Sequence, residues 1–222
     1  LSETRSDSKT FESQVIATYD HTFAKRHNFN VMAGYEEYSY TYEKLTAGSN
    51  EMDLANFPYL DLANENSLTV GGNSYQNAYR SFFGRIMYNY DNRYYVQLNA
   101  RGDASSRFHK DYRWGFFPSA SLGWVISNEK FMSNVSWLDH LKVRASIGSL
   151  GNERIGNYPY QTYITFNKAL LYDSTGSSPV STMTGAQQDY AYKDIHWEKT
   201  WSWDAGIDAS FLGNRLDFTA DY

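Results

Sequence analysis

The chain has 222 residues, with 25 acidic against 20 basic side chains, a formal net charge of −5, no cysteine and four prolines. That balance argues against nucleic acid as a partner, because phosphate binding needs an excess of lysine and arginine. The missing cysteine excludes disulfide staples and cysteine-built zinc sites. Aromatic residues make up 18%, led by 20 tyrosines, an enrichment that fits the girdles of a membrane barrel or a ligand-stacking surface.

Residues 10–24 alternate Phe11, Val15, Ala17 and Tyr19 with Glu12, Gln14, Thr18 and Asp20, the period of a strand with one apolar and one wet face. The turn Lys25-Arg26-His27 leads into residues 28–43, where Phe29, Val31, Ala33 and Tyr35 alternate with polar neighbours, so the two runs read as a hairpin. Alternation disappears over 44–78, a polar stretch too long for an ordinary connection and therefore expected to be a functional loop. It returns over 79–90, breaks at Asp91-Asn92-Arg93, and resumes over 94–104, where Tyr94, Val96, Leu98 and Ala100 oppose Tyr95, Gln97, Asn99, Arg101 and Asp103. A connection of about ten residues precedes strand 115–127. Ser127 is placed to cap one helical turn in 128–139. Strands 140–150, 197–212 and 216–222 complete the pattern, with a second long loop at 151–196 and the turn Gly213-Asn214-Arg215.

The connections sort by length. Connections after odd-numbered strands are mostly tight, with 128–139 somewhat longer, and those after even-numbered strands are longer, so an up-and-down sheet would carry its turns at one end and its long loops at the other. Outer-membrane barrels have this asymmetry, with short periplasmic turns and long extracellular loops. Charge placement agrees. Glu37, Arg80 and Lys199 fall in the apolar register but near long-loop ends, where a cation beside lipid costs about 0–1 kcal/mol rather than the roughly 2–4 kcal/mol of mid-bilayer. Arg85, Arg101, Asp103, Lys142, Arg144, Asp204 and Asp208 share the polar register with Gln97 and Asn99. The expected fold is all-β: an antiparallel up-and-down transmembrane β-barrel segment of about eight strands, with residues 1–222 belonging to one barrel domain. The pattern alone leaves open a soluble two-layer sandwich with the faces inverted, such as a carbohydrate-binding module.

Four stretches also resemble a known family: Phe82-Phe83-Gly84-Arg85, the run Arg101-Gly102-Asp103-Ala104-Ser105-Ser106-Arg107-Phe108, Phe116-Phe117-Pro118-Ser119, and Gly151-Asn152-Glu153-Arg154-Ile155-Gly156-Asn157-Tyr158. Their wording, order and spacing look like the barrel of the SusC/RagA family of TonB-dependent outer-membrane transporters of Bacteroidota. The likeness is close over 79–222 and only stylistic over 1–78; Ala104 stands where the family usually has glycine. The resemblance implies a barrel of about 22 strands around an internal plug. It also implies a TonB-contacting segment, a SusD-like surface lipoprotein as lid, and import of oligosaccharides or oligopeptides across the bacterial outer membrane, without enzymatic activity or cofactor. Neither plug, TonB box nor leader is recognisable in the chain, which is therefore expected to be an internal piece of a larger transporter. The rival reading is a closed eight-stranded outer-membrane barrel acting as adhesin or enzyme, which requires pairing between 10–24 and 216–222.

Candidate contacts with substrate or lid are the loop aromatics: Phe57, Tyr59 and Tyr75 in the first long loop, and Tyr158, Tyr160, Tyr163, Tyr172 and Tyr190 in the second. The expected lumen-lining residues are Arg85, Gln97, Asn99, Arg101, Asp103, Asp204 and Asp208. Arg101-Gly102-Asp103 reads better as an internal ion pair than as an adhesion signal. Trp197, Trp201 and Trp203 fall on the lipid parity and are expected to be girdle residues. Glu51, Asp53, Asp61 and Glu65 lack the spacing of a calcium loop. No hydrolase or phosphate-binding motif is present, and the five histidines offer no i, i+4 metal pair.

Overall fold

The computed structural model describes residues 1–51, 56–57, 59–172, 179–187 and 190–222, with the side chains of 167–172 and 179–182 left out. Its strands are β1 (Ser2–Phe23), β2 (His27–Ser49), β3 (Leu68–Tyr90), β4 (Tyr94–Ser105), β5 (Trp114–Val125), β6 (Leu138–Asn152), β7 (Ile164–Tyr172), β8 (Pro179–Gln187), β9 (Glu198–Phe211) and β10 (Leu216–Asp221). Eight of them form one antiparallel sheet in the order β1-β2-β3-β4-β5-β6-β9-β10, and β7 pairs only with β8 in a hairpin set into the second long connection.

Partners directly across an antiparallel ladder point to the same side, so the register assigns the faces. One row crosses seven strands as Tyr19, Val31, Ile86, Leu98, Ala120, Ile147 and Trp203. The neighbouring row on the opposite face reads Thr18, Met32, Arg85, Asn99, Ser119, Gly148 and Ser202. The segregation expected from alternation therefore holds across the sheet, with Met32 the one apolar intrusion in that polar row. A single hollow touches Asp20 on β1, Asn30, Gln97, Ser121 and Arg144 in between, and Asp204 on β9. The sheet thus curls towards its polar face.

Nothing among the described residues covers the apolar face. Among the described residues the buried apolar side chains are Ala63, Phe108, Phe117, Val125, Trp197 and Ala209, whereas Phe11, Val15, Phe82, Leu98, Leu122, Ile147 and Trp203 stand exposed. A second layer of sheet would have buried that face, and the described residues form none; the sandwich reading is overturned. The closed eight-stranded barrel is overturned as well, because β1 pairs only with β2 and β10 only with β9.

Three strands are longer than expected. β1, β2 and β3 have 22, 23 and 23 residues, about twice the ~10 that cross a bilayer. Along β1 the apolar belt runs from Phe11 to Phe23, roughly 40 Å of strand or about 30 Å of height at a typical barrel tilt. Beyond Phe11 the same parity carries Lys9, Asp7, Arg5 and Glu3, yet the ladder continues unbroken to Ser2 opposite Gly48. The three strands therefore project as an arm, wet on both sides, past the end of the belt. The loop expected at 44–78 shrinks to 50–67, and Tyr75 is a strand residue rather than a loop residue.

At the other end the turns are tight. Ala24, Lys25, Asp91 and Asn92 take positive φ of 47°, 60°, 53° and 53°, the left-handed geometry whose twist suits hairpins. Ser127 does not cap a helical turn. Residues 126–128 and 130–132 form two 3₁₀ turns whose cap positions, Val125 and Glu129, make no side-chain cap, and Ser127 sits inside the first. Glu129 instead staples three segments. It accepts hydrogen bonds from the Tyr94 hydroxyl and from Trp124 Nε1 (3.1 Å), and pairs with Arg93 at 3.1 Å, which itself holds Asp91 at 2.6 Å.

The Tyr94 hydroxyl first, then Trp124 and Arg93, hold the Glu129 carboxyl below its ordinary range. A depressed folded pKa contributes stability above the unfolded value and loses it as pH falls through the folded one. Amide protection around 91–93 is therefore expected to drop below about pH 4, and Glu129→Gln is expected to abolish that pH dependence in hydrogen-exchange measurements.

Candidate functional site: the polar wall and its mouth

The polar face carries two connected features, a charged wall at mid-height and a roofed mouth at the long-loop end. Arg101 centres the first. Its Nε donates to Asp103 at 2.6 Å, and one terminal nitrogen reaches Ser81 Oγ at 2.9 Å and Glu36 at 3.2 Å. The guanidinium also lies 5.3 Å from the Phe83 ring centre. One planar fork thus ties three strands, with Arg101 and Asp103 pairing as expected. Asn99 donates to Ser119 (3.0 Å) and accepts from Gln97 (3.3 Å), while Arg85 reaches Asn30 at 3.5 Å. Arg144 forms a second hub, 3.1 Å from Asp208, 2.6 Å from Asp221 and 3.7 Å from Asp204.

All seven residues expected on the lumen side lie on the polar face, and most are joined in these networks. Arg101→Met leaves Asp103 and Glu36 facing each other without a cation. Because the arginine side chain is partly exposed, the expected cost is about 1–2 kcal/mol, read as a lower urea midpoint of the full-length protein in detergent. Arg101→Lys should not restore it, since a point charge cannot serve three acceptors in the fork's geometry.

The mouth is built by the connections themselves. Residues 106–113 fold back over the polar face, so that Phe108 (1% exposed) packs with Phe117 and Trp197, flanked by Ile155 and Ile195. Trp197 Nε1 donates to the Arg113 carbonyl at 2.7 Å. The Phe117 ring lies in a slot between Gly115 and Gly151, where a Cβ on either would collide with it. Trp197 is therefore not a girdle residue; at 8% exposure it belongs to the buried cluster with Phe108 and Phe117, unlike Trp201 and Trp203, which remain exposed. Of the charges in the apolar register, Glu37 and Arg80 are ladder partners and pair at 3.0 Å, while the Lys199 ammonium lies 5.8 Å from the Phe117 ring centre.

The loop aromatics divide. Tyr158 donates to the Gln76 carbonyl, and Tyr160 meets both Tyr158 and His109 edge-on at 6.3 and 5.6 Å, so these two fold the second loop onto the sheet. Phe57, Tyr59, Tyr163 and Tyr190 are exposed, Tyr190 most of all at 80%. Tyr172 ends β7 opposite Pro179, and its side chain lies outside the described residues, as does Asp53. Among the described residues no group of three potential metal-ligating side chains gathers. Tyr38, Tyr40 and Tyr42 lie in the strand expected at 28–43, but two of their partners fell in the expected loop: the three face Tyr79, Asn77 and Tyr75 of β3.

An open antiparallel sheet with one continuous apolar belt, a charged inner wall and loops sorted by end is a section of β-barrel wall. Residues 2–222 match the family model of the TonB-dependent receptor-like β-barrel, and the chain belongs to that family. Its relatives are of the SusC/RagA type. A TonB-dependent receptor of Formosa agariphila is 32% identical over 214 residues, 95% of this chain and 20% of that protein. The TonB-dependent receptor SusC of Bacteroides thetaiotaomicron is 38% identical over 142 residues, 64% of this chain and 14% of that protein. The solved RagAB peptide importer in its closed-closed state superposes with a TM-score of 0.79 at 29% identity, covering 99% of this chain and 23% of that one. The chain thus spans about a fifth of the length of the curated relatives it matches. These relatives are receptors and transporters rather than enzymes.

Proposed function

We propose that the chain forms part of the wall of an outer-membrane importer that takes up oligosaccharides or oligopeptides. A SusD-like surface lipoprotein closes the mouth, and TonB, acting through parts of the protein outside this chain, supplies the energy. One observation carries the reading: the apolar row from Tyr19 to Trp203 is continuous over seven strands and uncovered, while Arg101 and Arg144 on the face behind it are held in ion pairs. Such a surface is stable against hydrocarbon on one side and water on the other. On this reading Arg85, Gln97, Asn99, Arg101, Asp103, Asp204 and Asp208 line the lumen, and the exposed Phe57, Tyr59, Tyr163 and Tyr190 are available to substrate or lid.

The test is uptake by whole cells. Deleting the gene should abolish uptake of the substrate, and a strain lacking TonB should show the same defect. Undiminished uptake in both strains would sink the proposal.

A further inference from the structure

We infer that the turn end of the wall carries a cationic shelf that binds the head groups of anionic phospholipid in the periplasmic leaflet of the outer membrane. The inference rests on the importer reading above, through its lipid-facing belt, and adds to it a surface and a partner. Of the four connections at that end, 24–26, 91–93 and 212–215 are tight and 126–137 is long. The long one is turned towards the belt. Its Glu129 accepts hydrogen bonds from the Tyr94 hydroxyl and from Trp124 Nε1 at 3.1 Å. Tyr94 and Trp124 are ladder partners on the parity of Leu98 and Leu122, which is the apolar face. The segment therefore lies outside the wall, continuous with the edge of the belt, and Arg93 neutralises its carboxylate at 3.1 Å.

The shelf exposes large apolar side chains beside that edge. Phe131 and Trp137 are 66% and 60% exposed, and Leu212 in the adjoining turn is 64% exposed. Trp137 stacks on Phe211 with centroids 5.9 Å apart and planes 3° apart, and its carbonyl accepts from the Leu212 amide at 3.3 Å. Aromatic rings at the border of hydrocarbon and water settle at the level of the head groups.

Charge decides which lipid. The four connections hold five cations, Lys25, Arg26, Arg93, Lys130 and Arg215, against two carboxylates, Asp91 and Glu129. Both carboxylates are engaged within the rim: Arg93 holds Asp91 at 2.6 Å as well as Glu129, and Arg26 stands 3.9 Å from Asp91. Among the described residues Lys25, Lys130 and Arg215 have no carboxylate partner, and all three are exposed. Backbone contacts tie neighbouring connections into one rim. The Asp91 amide donates to the Arg26 carbonyl at 2.8 Å, and Asn128 Nδ2 donates to the Asn92 carbonyl at 3.1 Å. Free cations beside exposed rings match a phosphate above acyl chains. A zwitterionic head group brings its own cation, so the surface selects lipid with net negative charge.

The experiment places a benzophenone amino acid at position 131 of the full-length receptor, reconstituted in vesicles of equimolar phosphatidylglycerol and phosphatidylcholine with identical chains. After irradiation, mass spectrometry of the labelled peptide counts the two lipid adducts. Phosphatidylglycerol adducts are expected to outnumber phosphatidylcholine adducts about fivefold or more. The combined variant Lys25→Gln, Lys130→Gln and Arg215→Gln should bring the ratio close to one. Lys9→Gln, an exposed cation at the opposite end of β1, should leave it unchanged, and heat-modifiable migration on gels verifies that both variants fold. Equal adducts in the unsubstituted rim, or a preference that survives the triple variant, would overturn the site. The same irradiation in whole cells should label lipid, and an adduct to a periplasmic protein would replace the lipid by a protein partner and overturn the proposal. Either failure with TonB-dependent uptake intact removes the shelf and leaves the importer reading standing. No lipid adduct at all, together with uptake independent of TonB, would remove both.

Discussion

Replacing Leu98 by arginine is expected to destabilise the full-length protein in lipid by roughly 2–4 kcal/mol. The same change at Asn99, its neighbour in sequence, should cost little. Leu98 sits in the apolar row between Ile86 and Ala120, and Asn99 in the polar row between Arg85 and Ser119. A guanidinium at position 98 would leave water for hydrocarbon midway along the belt, too far from either rim to reach head groups. At position 99 it would join a wall that already holds two arginine hubs. Only the lipid reading predicts this contrast, because in water an extra arginine on an exposed face is nearly neutral. The measurement is urea unfolding in lipid vesicles, followed by heat-modifiable migration. Equal midpoints for the two variants would mean that the belt does not face lipid.

The same contrast explains how much of the molecule was legible in its sequence. Period-two alternation exists where one face is dry and the other wet, and there the reading located every strand of the sheet. It ended β1 near Thr10, ended β2 at Glu43 and began β3 at Tyr79, because beyond those points the outward parity carries Lys9, Asp7, Arg5 and Glu3 on β1 and Gln76, Ser74 and Gly72 on β3. The backbone ladder is indifferent to this change and runs on for eight residues of β1, six of β2 and eleven of β3. Tyr75 was thereby assigned to a loop, and its pairing with Tyr42 stayed invisible. The hairpin β7–β8 was missed for the same reason, since Asn167-Lys168-Ala169-Leu170-Leu171 has no alternation.

Trp197 shows a different limit. Its parity matched Trp201 and Trp203, but parity cannot report that residues 106–113 fold back over the inner face. The available signal was Phe108, a large apolar side chain stranded in a polar connection. The run from Arg101 to Phe108, which carried the family resemblance, turns out to be spent on architecture. Arg101 and Asp103 pair, Ser105 Oγ accepts from the Arg107 amide, Ser106 Oγ accepts from the Ala78 amide, and Arg107 donates to the Ile155 carbonyl. Its polar residues brace the connection so that Phe108 can reach the cluster.

That arrangement makes Trp197→Ala the most damaging single change expected at the mouth. The indole fills the space between Phe108 and Phe117, with ring centroids 5.2 and 5.3 Å away, and its Nε1 closes the Arg113 carbonyl. Removing a buried tryptophan costs about 3–5 kcal/mol through lost burial and the cavity left behind. Phe117 cannot shift far to fill the gap while it is held in its slot between Gly115 and Gly151. The loss should fall on the connections rather than on the sheet, whose ladders do not depend on the cluster. Amide exchange should accelerate across 105–113 and 153–160 while β3 and β4 stay protected, and limited proteolysis should nick the same two segments. Trp203→Ala, on the exposed apolar row, should leave both segments protected. If Trp197→Ala left them protected too, the cluster would not be what holds the mouth in place.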